Sequence, residues 1–342
     1  MNKTRRIRTA CGLAFLMAVL LVSSGCQVER QPGETTSPPD AHTGFVKGVG
    51  LSPRSQQPED FTTFFETARQ AGSVVMWAGD WIELARSDKG GPVVVTELAS
   101  RYDYTPLVEV QFFTQSTGAL LRPLDAYAQT YKNSLASFVE KYKPAYLGIG
   151  IEVNVLYERA MLSSYAPNDF ERFVELYREA YTLVKAKSPN TRVFTVFQLE
   201  KMKGLNGGLF GGVNSSDLAQ WLLLDVFPTD IVAFTTYPGL IYRSPDEIPQ
   251  DYYTEIRQHT TKPVAFTEIG WHTASSPRGW ESSEAEQAEF VKTFFRLTET
   301  LDKELVLWSF LYDQDTFQPF DSMGLWSKDG PREAWAEWQK VK

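Results

Sequence analysis

Two glutamates close short apolar runs, Leu147-Gly148-Ile149-Gly150-Ile151-Glu152-Val153-Asn154 and Val264-Ala265-Phe266-Thr267-Glu268-Ile269-Gly270-Trp271. Runs this short read as buried strands, and an ionised carboxylate at the end of one is costly unless the strand opens on a polar cavity. A single acid there can be structural. Two acids facing one cavity can divide labour, one giving a proton to a departing oxygen while the other meets an oxocarbenium-like centre from the opposite face, as cleavage of a glycosidic bond requires.

For the two to meet, the chain between and around them must bring strand ends to one face. Beyond Gly44, short apolar runs alternate with amphipathic segments, which is the pattern of βα units around a parallel sheet. Strands are expected over residues 45–51, 73–78, 107–113, 146–151, 192–198, 231–236, 264–268 and 305–310, and helices over 60–70, 124–141, 169–187, 215–224, 283–300 and 332–339. A second helix falls near residues 94–101, although Val93-Val94-Val95 reads equally as a strand. Eight units favour a single closed (β/α)8 TIM barrel in the α/β class over an open doubly wound sheet. Glu152 then ends the fourth strand and Glu268 the seventh, both on the face where barrels carry their sites.

Composition agrees with one large domain. The chain has 342 residues, 43% of them hydrophobic and 13% aromatic, enough for an extensive core. A net charge of −8 argues against nucleic acid as a partner. The histidines are scattered as His42, His259 and His272, and no HExxH or G-x-S-x-G pattern occurs, so neither a metal centre nor a serine triad is expected, and no cofactor. The glycine-rich stretch from Gly204 to Gly212 lacks phosphate-loop spacings and reads as a mobile rim after the fifth strand.

The amino terminus has a different character. Basic Lys3, Arg5, Arg6 and Arg8 precede an apolar stretch over residues 13–22 and then Ser23-Ser24-Gly25-Cys26, the layout of a signal peptide over residues 1–25. Residues 26–43, rich in Pro, Ser, Thr and Gly, read as a tether, and residues 44–342 as the barrel. The first segment resembles a bacterial lipoprotein signal, with Ser23 departing from the Leu usual three residues before the cysteine. That resemblance implies cleavage before Cys26, a lipid on its thiol, and an extracytoplasmic domain anchored to a bacterial membrane; an ordinary secretory signal is the competing reading.

Across roughly residues 44–342 the chain also resembles clan A of the glycoside hydrolases. Thr267-Glu268-Ile269-Gly270-Trp271 is similar to the clan's nucleophile segment, and Gly148-Ile149-Gly150-Ile151-Glu152-Val153-Asn154 to the acid/base segment of the family 53 galactanases and family 113 mannanases. The resemblance implies retaining hydrolysis of a β-linked poly- or oligosaccharide, with Glu268 as nucleophile and Glu152 as acid/base. Most members place Asn before the acid/base glutamate to bind a sugar hydroxyl; Ile151 stands there, as a non-Asn residue also does in family 113. Asn154 is a partial substitute or a loop cap. Tyr237 matches the tyrosine that orients the nucleophile, and Trp308 the tryptophan beneath the innermost sugar, with a core tryptophan as the alternative.

Other polar groups near strand ends complete the expected site. Asp80 and Trp81 follow the second strand and line a subsite, unless Asp80 caps the next segment. Glu109 and Gln111 share one face of the third strand, as an internal polar network or the lower wall of the site. Gln198 and Glu200 end the fifth, and Glu200 is the main rival for a catalytic role. Trp271, His272 and Trp280 follow Glu268 and are expected to line sugar subsites. The competing function is a barrel lipoprotein that binds glycan without cleaving it.

Overall fold

In the computed structural model, residues 44–86, 90–163 and 165–342 are described; the expected signal peptide, tether and lipidated Cys26 lie outside the described residues. Nine parallel strands make the main sheet: β1 (Val46–Gly50), β2 (Val74–Asp80), β3 (Thr105–Gln111), β4 (Tyr146–Ile149), β5 (Arg192–Phe194), β6 (Val196–Gln198), β7 (Val232–Thr236), β8 (Val264–Ile269) and β9 (Lys303–Trp308). Their order is β5-β4-β3-β2-β1-β9-β8-β7-β6. The two strands at the ends of that order are separated in sequence only by Thr195, so the sheet curls into a nearly closed barrel.

The expected strand over residues 192–198 is therefore two. Arg192–Phe194 pairs with β4 and Val196–Gln198 with β7. Between them Thr195 donates its hydroxyl to Gly150 O at 3.1 Å, and Val196 N reaches the same carbonyl at 3.0 Å. The ladder breaks where it changes partner.

Helices cover the outside: α1 (Pro58–Ala71), α2 (Pro92–Tyr102), α3 (Leu124–Tyr142), α4 (Val153–Tyr157), α5 (Asp169–Lys187), α6 (Leu199–Met202), α7 (Glu284–Leu297) and α8 (Glu333–Lys340). In α1 Pro58 occupies the first turn beside Glu59 and Asp60, where a missing N–H costs nothing and negative charge suits the dipole. Its Phe61, Phe64, Phe65 and Ala68 recur at helical spacing and are buried. Val93-Val94-Val95 belongs to a helix, preceded by Gly91 and begun by Pro92. The helix expected over 215–224 is instead two 3-10 turns, Ser216–Leu218 and Trp221–Asp225. Between them Gln220 leaves the helical path: its N–H bonds Met202 O at 3.0 Å and its side chain is held by Asn154 and Glu158.

Side-chain alternation divides the core. Val74, Met76, Leu107, Tyr146, Phe194, Val196, Ala233, Ala265, Leu305 and Leu307 form one apolar cluster inside the barrel. Their strand neighbours, including Val75, Val108, Leu147, Phe234, Phe266, Val306 and Trp308, pack outward with the helices. At ~1.5–3 kcal/mol for each large side chain buried, both layers contribute heavily to stability. Towards the carboxyl ends of the strands the inward positions turn polar: Glu109, Gln111, Thr235, Thr267 and Ser309.

Candidate active site

Glu152 is placed by a tight exit from β4. Gly150 has φ 85°, and a Cβ there would come within 2.6 Å of the Phe173 ring. Two residues on, Glu152 itself is left-handed at φ 56°, ψ 53°, a conformation that costs an L-residue ~1–3 kcal/mol and persists where its surroundings over-determine it. Gln111 supplies part of that constraint, accepting from Ile151 N at 3.3 Å and donating to Ile151 O at 3.4 Å. The residue is 6% exposed. Its Oε1 accepts from Thr235 Oγ1 at 2.7 Å and Gln198 Nε2 at 3.2 Å, while Oε2 has no partner among the described residues.

Glu268 arrives by another route. The β7–β8 register slips after Phe234, which pairs with Phe266, so that Thr235 pairs with Glu268. The extra residue, Thr267, acts as a bulge that re-aims the side chain after it. Tyr237 donates its phenol to Glu268 Oε2 at 2.5 Å, and Ser309 Oγ stands 2.8 Å from that phenol while donating to Ile269 O at 2.9 Å. Thr235 is thus bonded to one carboxyl and in register with the other, which brings Glu152 and Glu268 to the same end of the lumen.

Their proton affinities differ in cause. Burial, and then the charge of Glu268, pushes the Glu152 carboxyl up to about 7, with the Thr235 bond opposing. Burial also raises Glu268, but the tyrosine bond favours its charged form and works against the rise. Glu152 therefore exchanges a proton near neutrality. Because both donors load Oε1, that proton belongs on Oε2.

No protein-family model matches the chain, and no curated protein does. Among solved structures it is similar to the exo-β-1,4-mannosidase Op5Man5 from Opitutaceae bacterium strain TAV5, with a TM-score of 0.61 and 12% identity. A GH2 β-galacturonidase from Eisenbergiella tayi gives 0.56 and 14%, and Bacteroides uniformis β-glucuronidase 2, covalently bound to cyclophellitol-6-carboxylate aziridine, gives 0.57 and 13%. The alignments cover 86% of this chain but 59%, 50% and 35% of those chains, so it spans about a third to three fifths of their length. The likeness is one of fold.

Two further buried acids lie near the pair. Glu200, the rival, is fully buried, and its Oε1 accepts from Thr236 Oγ1 at 2.8 Å, Tyr237 N at 3.0 Å and Tyr252 OH at 2.8 Å. It braces the exit of β7 that carries Tyr237. Glu109 does face inward with Gln111, but the expected network around it is absent: neither oxygen meets a donor in good geometry among the described residues. Burial, then the charge of Glu268, holds its carboxyl well above the usual range, with Thr267 opposing.

Several expected subsite residues lie elsewhere. Trp308 faces the helices, its indole N–H on Met323 O at 2.8 Å and its ring 6.0 Å from Phe290 and 5.8 Å from Trp338. Fully buried there, it has no face left for a sugar, and the core reading holds. Trp271 is likewise packed on Phe290, with His272 buried beside it. Burial lowers the His272 pKa, and neither ring nitrogen meets a partner in hydrogen-bond geometry among the described residues. Trp280 keeps exposed surface, with the Arg243 guanidinium 5.1 Å from its ring. Asp80 caps the turn Trp81–Ala85 through Ile82 N at 3.2 Å and pairs with Arg122 at 2.7 Å. Trp81 is 2% exposed between Phe112 and Tyr131. Asn154 is fully buried, accepting from Gln198 N at 2.7 Å and donating to Gln220 at 2.9 Å, so it supports a neighbour of Glu152.

Sequence reasoning passed over Thr235 and Ser309. Their signal was period-two parity: each continues the inward face of its strand, after Ala233 and after Leu305 and Leu307.

Proposed function

We propose that this chain is a retaining glycoside hydrolase of clan A type acting on a β-linked poly- or oligosaccharide, nearest in motif to the family 53 galactanases and family 113 mannanases. The observation that carries the reading is the Glu152–Thr235 bond beside the Tyr237–Glu268 bond: one carboxyl hidden and raised in proton affinity, the other held by a phenol that favours its charged form, at one end of one barrel. Similarity of fold to a mannosidase, a galacturonidase and a glucuronidase covalently bound to an aziridine supports it. On this reading β5 and β6 count as one interrupted strand of a (β/α)8 barrel.

Glu268 attacks the anomeric carbon as Glu152 Oε2 gives its proton to the departing glycosidic oxygen, forming a glycosyl ester. Glu152, now a carboxylate, takes a proton from water, which displaces Glu268 and returns the sugar with its original anomeric configuration. Tyr237 holds the attacking carboxylate in orientation and releases its charge as the ester forms. The missing Asn before Glu152 favours the second reading, glycan binding without cleavage, since Ile151 belongs to the apolar lumen cluster and offers no hydrogen bond from its side chain.

A panel of β-glycans assayed with wild type and Glu268→Ala separates the two. Hydrolysis by the wild type, lost in the variant and giving a first product of retained configuration by proton NMR, supports the enzyme. Binding without turnover, or an inverted product, overturns it. The lipid anchor rests on the residues around Cys26: Cys26→Ser should convert a detergent-partitioning protein to one that is unprocessed or soluble.

A further inference from the structure

A continuous hydrogen-bonded chain approaches Glu152 from behind, crossing from the α4 side of the barrel to the segment after β6. Lys201 Nζ is 2.5 Å from Glu158 Oε2, Gln220 Nε2 donates to Glu158 Oε1 at 3.0 Å, and Asn154 Nδ2 donates to Gln220 Oε1 at 2.9 Å. Asn154 Oδ1 then accepts from Gln198 N, whose own side-chain amide donates to Glu152. Asn154 is fully buried and Gln220 is 3% exposed. Their polar groups are spent on each other, on Gln198 and on Glu158. Burying two carboxamides is costly unless they are mutually satisfied, so the arrangement fixes backbone and side chain of Gln198 in one position.

Resting on the acid/base reading of Glu152, we infer that Asn154 and Gln220 are positioning residues for the proton donor: through Gln198 they hold Oε1 occupied and leave Oε2 turned to the leaving group. The chain does for this site, from the fifth strand's side, an orienting task that no side chain next to Glu152 in sequence performs, since Ile151 and Val153 are apolar. It also explains why residues 215–224 are not a helix: Gln220 has to leave the helical path to join Asn154 to Glu158.

The test is Gln220→Ala, two links from the carboxyl, with Gln198→Leu as the direct cut should the first variant fold poorly. kcat/KM is followed across pH with two β-glycosides of the sugar that the wild type accepts, one with a dinitrophenyl leaving group that needs no proton and one with an alkyl leaving group that does. The titratable and charged groups around Glu152 are Glu268, Glu200, Lys201, Glu109 and Tyr237, and neither substitution removes any of them. We expect the alkyl glycoside to lose about tenfold in kcat/KM and the dinitrophenyl glycoside less than about twofold. The alkaline limb should move to higher pH, because a carboxylate that loses a donor binds its proton more tightly. Equal losses on both substrates, or a limb that stays in place, would overturn the inference while leaving the hydrolase reading intact. A wild type that turns over neither glycoside removes the hydrolase reading, and the inference with it.

Discussion

Glu152 stands on a left-handed backbone at the end of β4, whereas Glu268 stands within a strand whose ladder has slipped by one residue. The first carboxyl is nearly sealed and receives two neutral donors on one oxygen; the second keeps part of its surface and receives a phenol whose other neighbour is Ser309. Both are buried enough for desolvation to raise their proton affinity, so burial alone cannot separate their roles. What separates them is the company each keeps. On Glu152 the charge of Glu268 adds to burial, while on Glu268 the tyrosine subtracts from it. On the proposed hydrolase reading, unequal environments turn two identical side chains into an acid and a nucleophile.

The largest test of that asymmetry removes the acid. Glu152→Ala should lower kcat/KM by roughly 10²–10⁴-fold on glycosides with poor leaving groups, with added azide restoring turnover of activated substrates. If azide yields no glycosyl azide, the two roles are not divided as described. Trp308→Ala should test the helix-facing side of the strand that leads to Ser309: we expect a loss of about 3–5 kcal/mol in stability by denaturant unfolding, with KM nearly unchanged in protein that remains folded. A selective rise in KM would return Trp308 to the sugar site.

A pH series addresses both sides at once. The folded-state value of about 7 for Glu152 lies above its ordinary 4.5, so the native state binds this proton more tightly than the unfolded chain. Its contribution to stability is therefore complete below pH 4.5, declines through the window up to about 7, and amounts to about 3 kcal/mol over that range. Glu109, Glu200 and Glu268 are raised too and act in the same direction. Thermal midpoints should fall as pH rises through this window, and fall less steeply in Glu109→Gln. Tyr237→Phe should act chiefly on the other carboxylate, raising its proton affinity and carrying the acid limb of kcat/KM to higher pH with a loss of about 2 kcal/mol in transition-state stabilisation. Thr235→Val should give the smallest change, about 1 kcal/mol, seen as an alkaline limb displaced upward.

The alternation of apolar runs and amphipathic segments made the barrel legible, because period-two and period-3.6 patterns report which face is buried. It marked Glu152, Glu268 and Tyr237 for the same reason: polar groups at the ends of apolar strands stand out. Trp308 and Trp271 were misplaced because a large aromatic fits either side of a strand equally well, and only packing against Phe290 settles the side. Asn154 and Gln220 were obscure because a hydrogen bond across 66 residues leaves no local trace. The break at Thr195 was hidden too, since Arg192 to Gln198 reads as one uninterrupted strand.

That break gives the barrel a seam. The ladders beside it have three register partners each, against seven between β2 and β3, and the seam is fastened at Gly150 O, two residues from Glu152. Short ladders open first when a structure is warmed. The hoop most ready to part is thus the one that carries Glu152, and on the proposed hydrolase reading this barrel is expected to fall silent before it melts: activity along a heating ramp should fade together with amide protection at Val196, while far-ultraviolet dichroism still reports an intact fold.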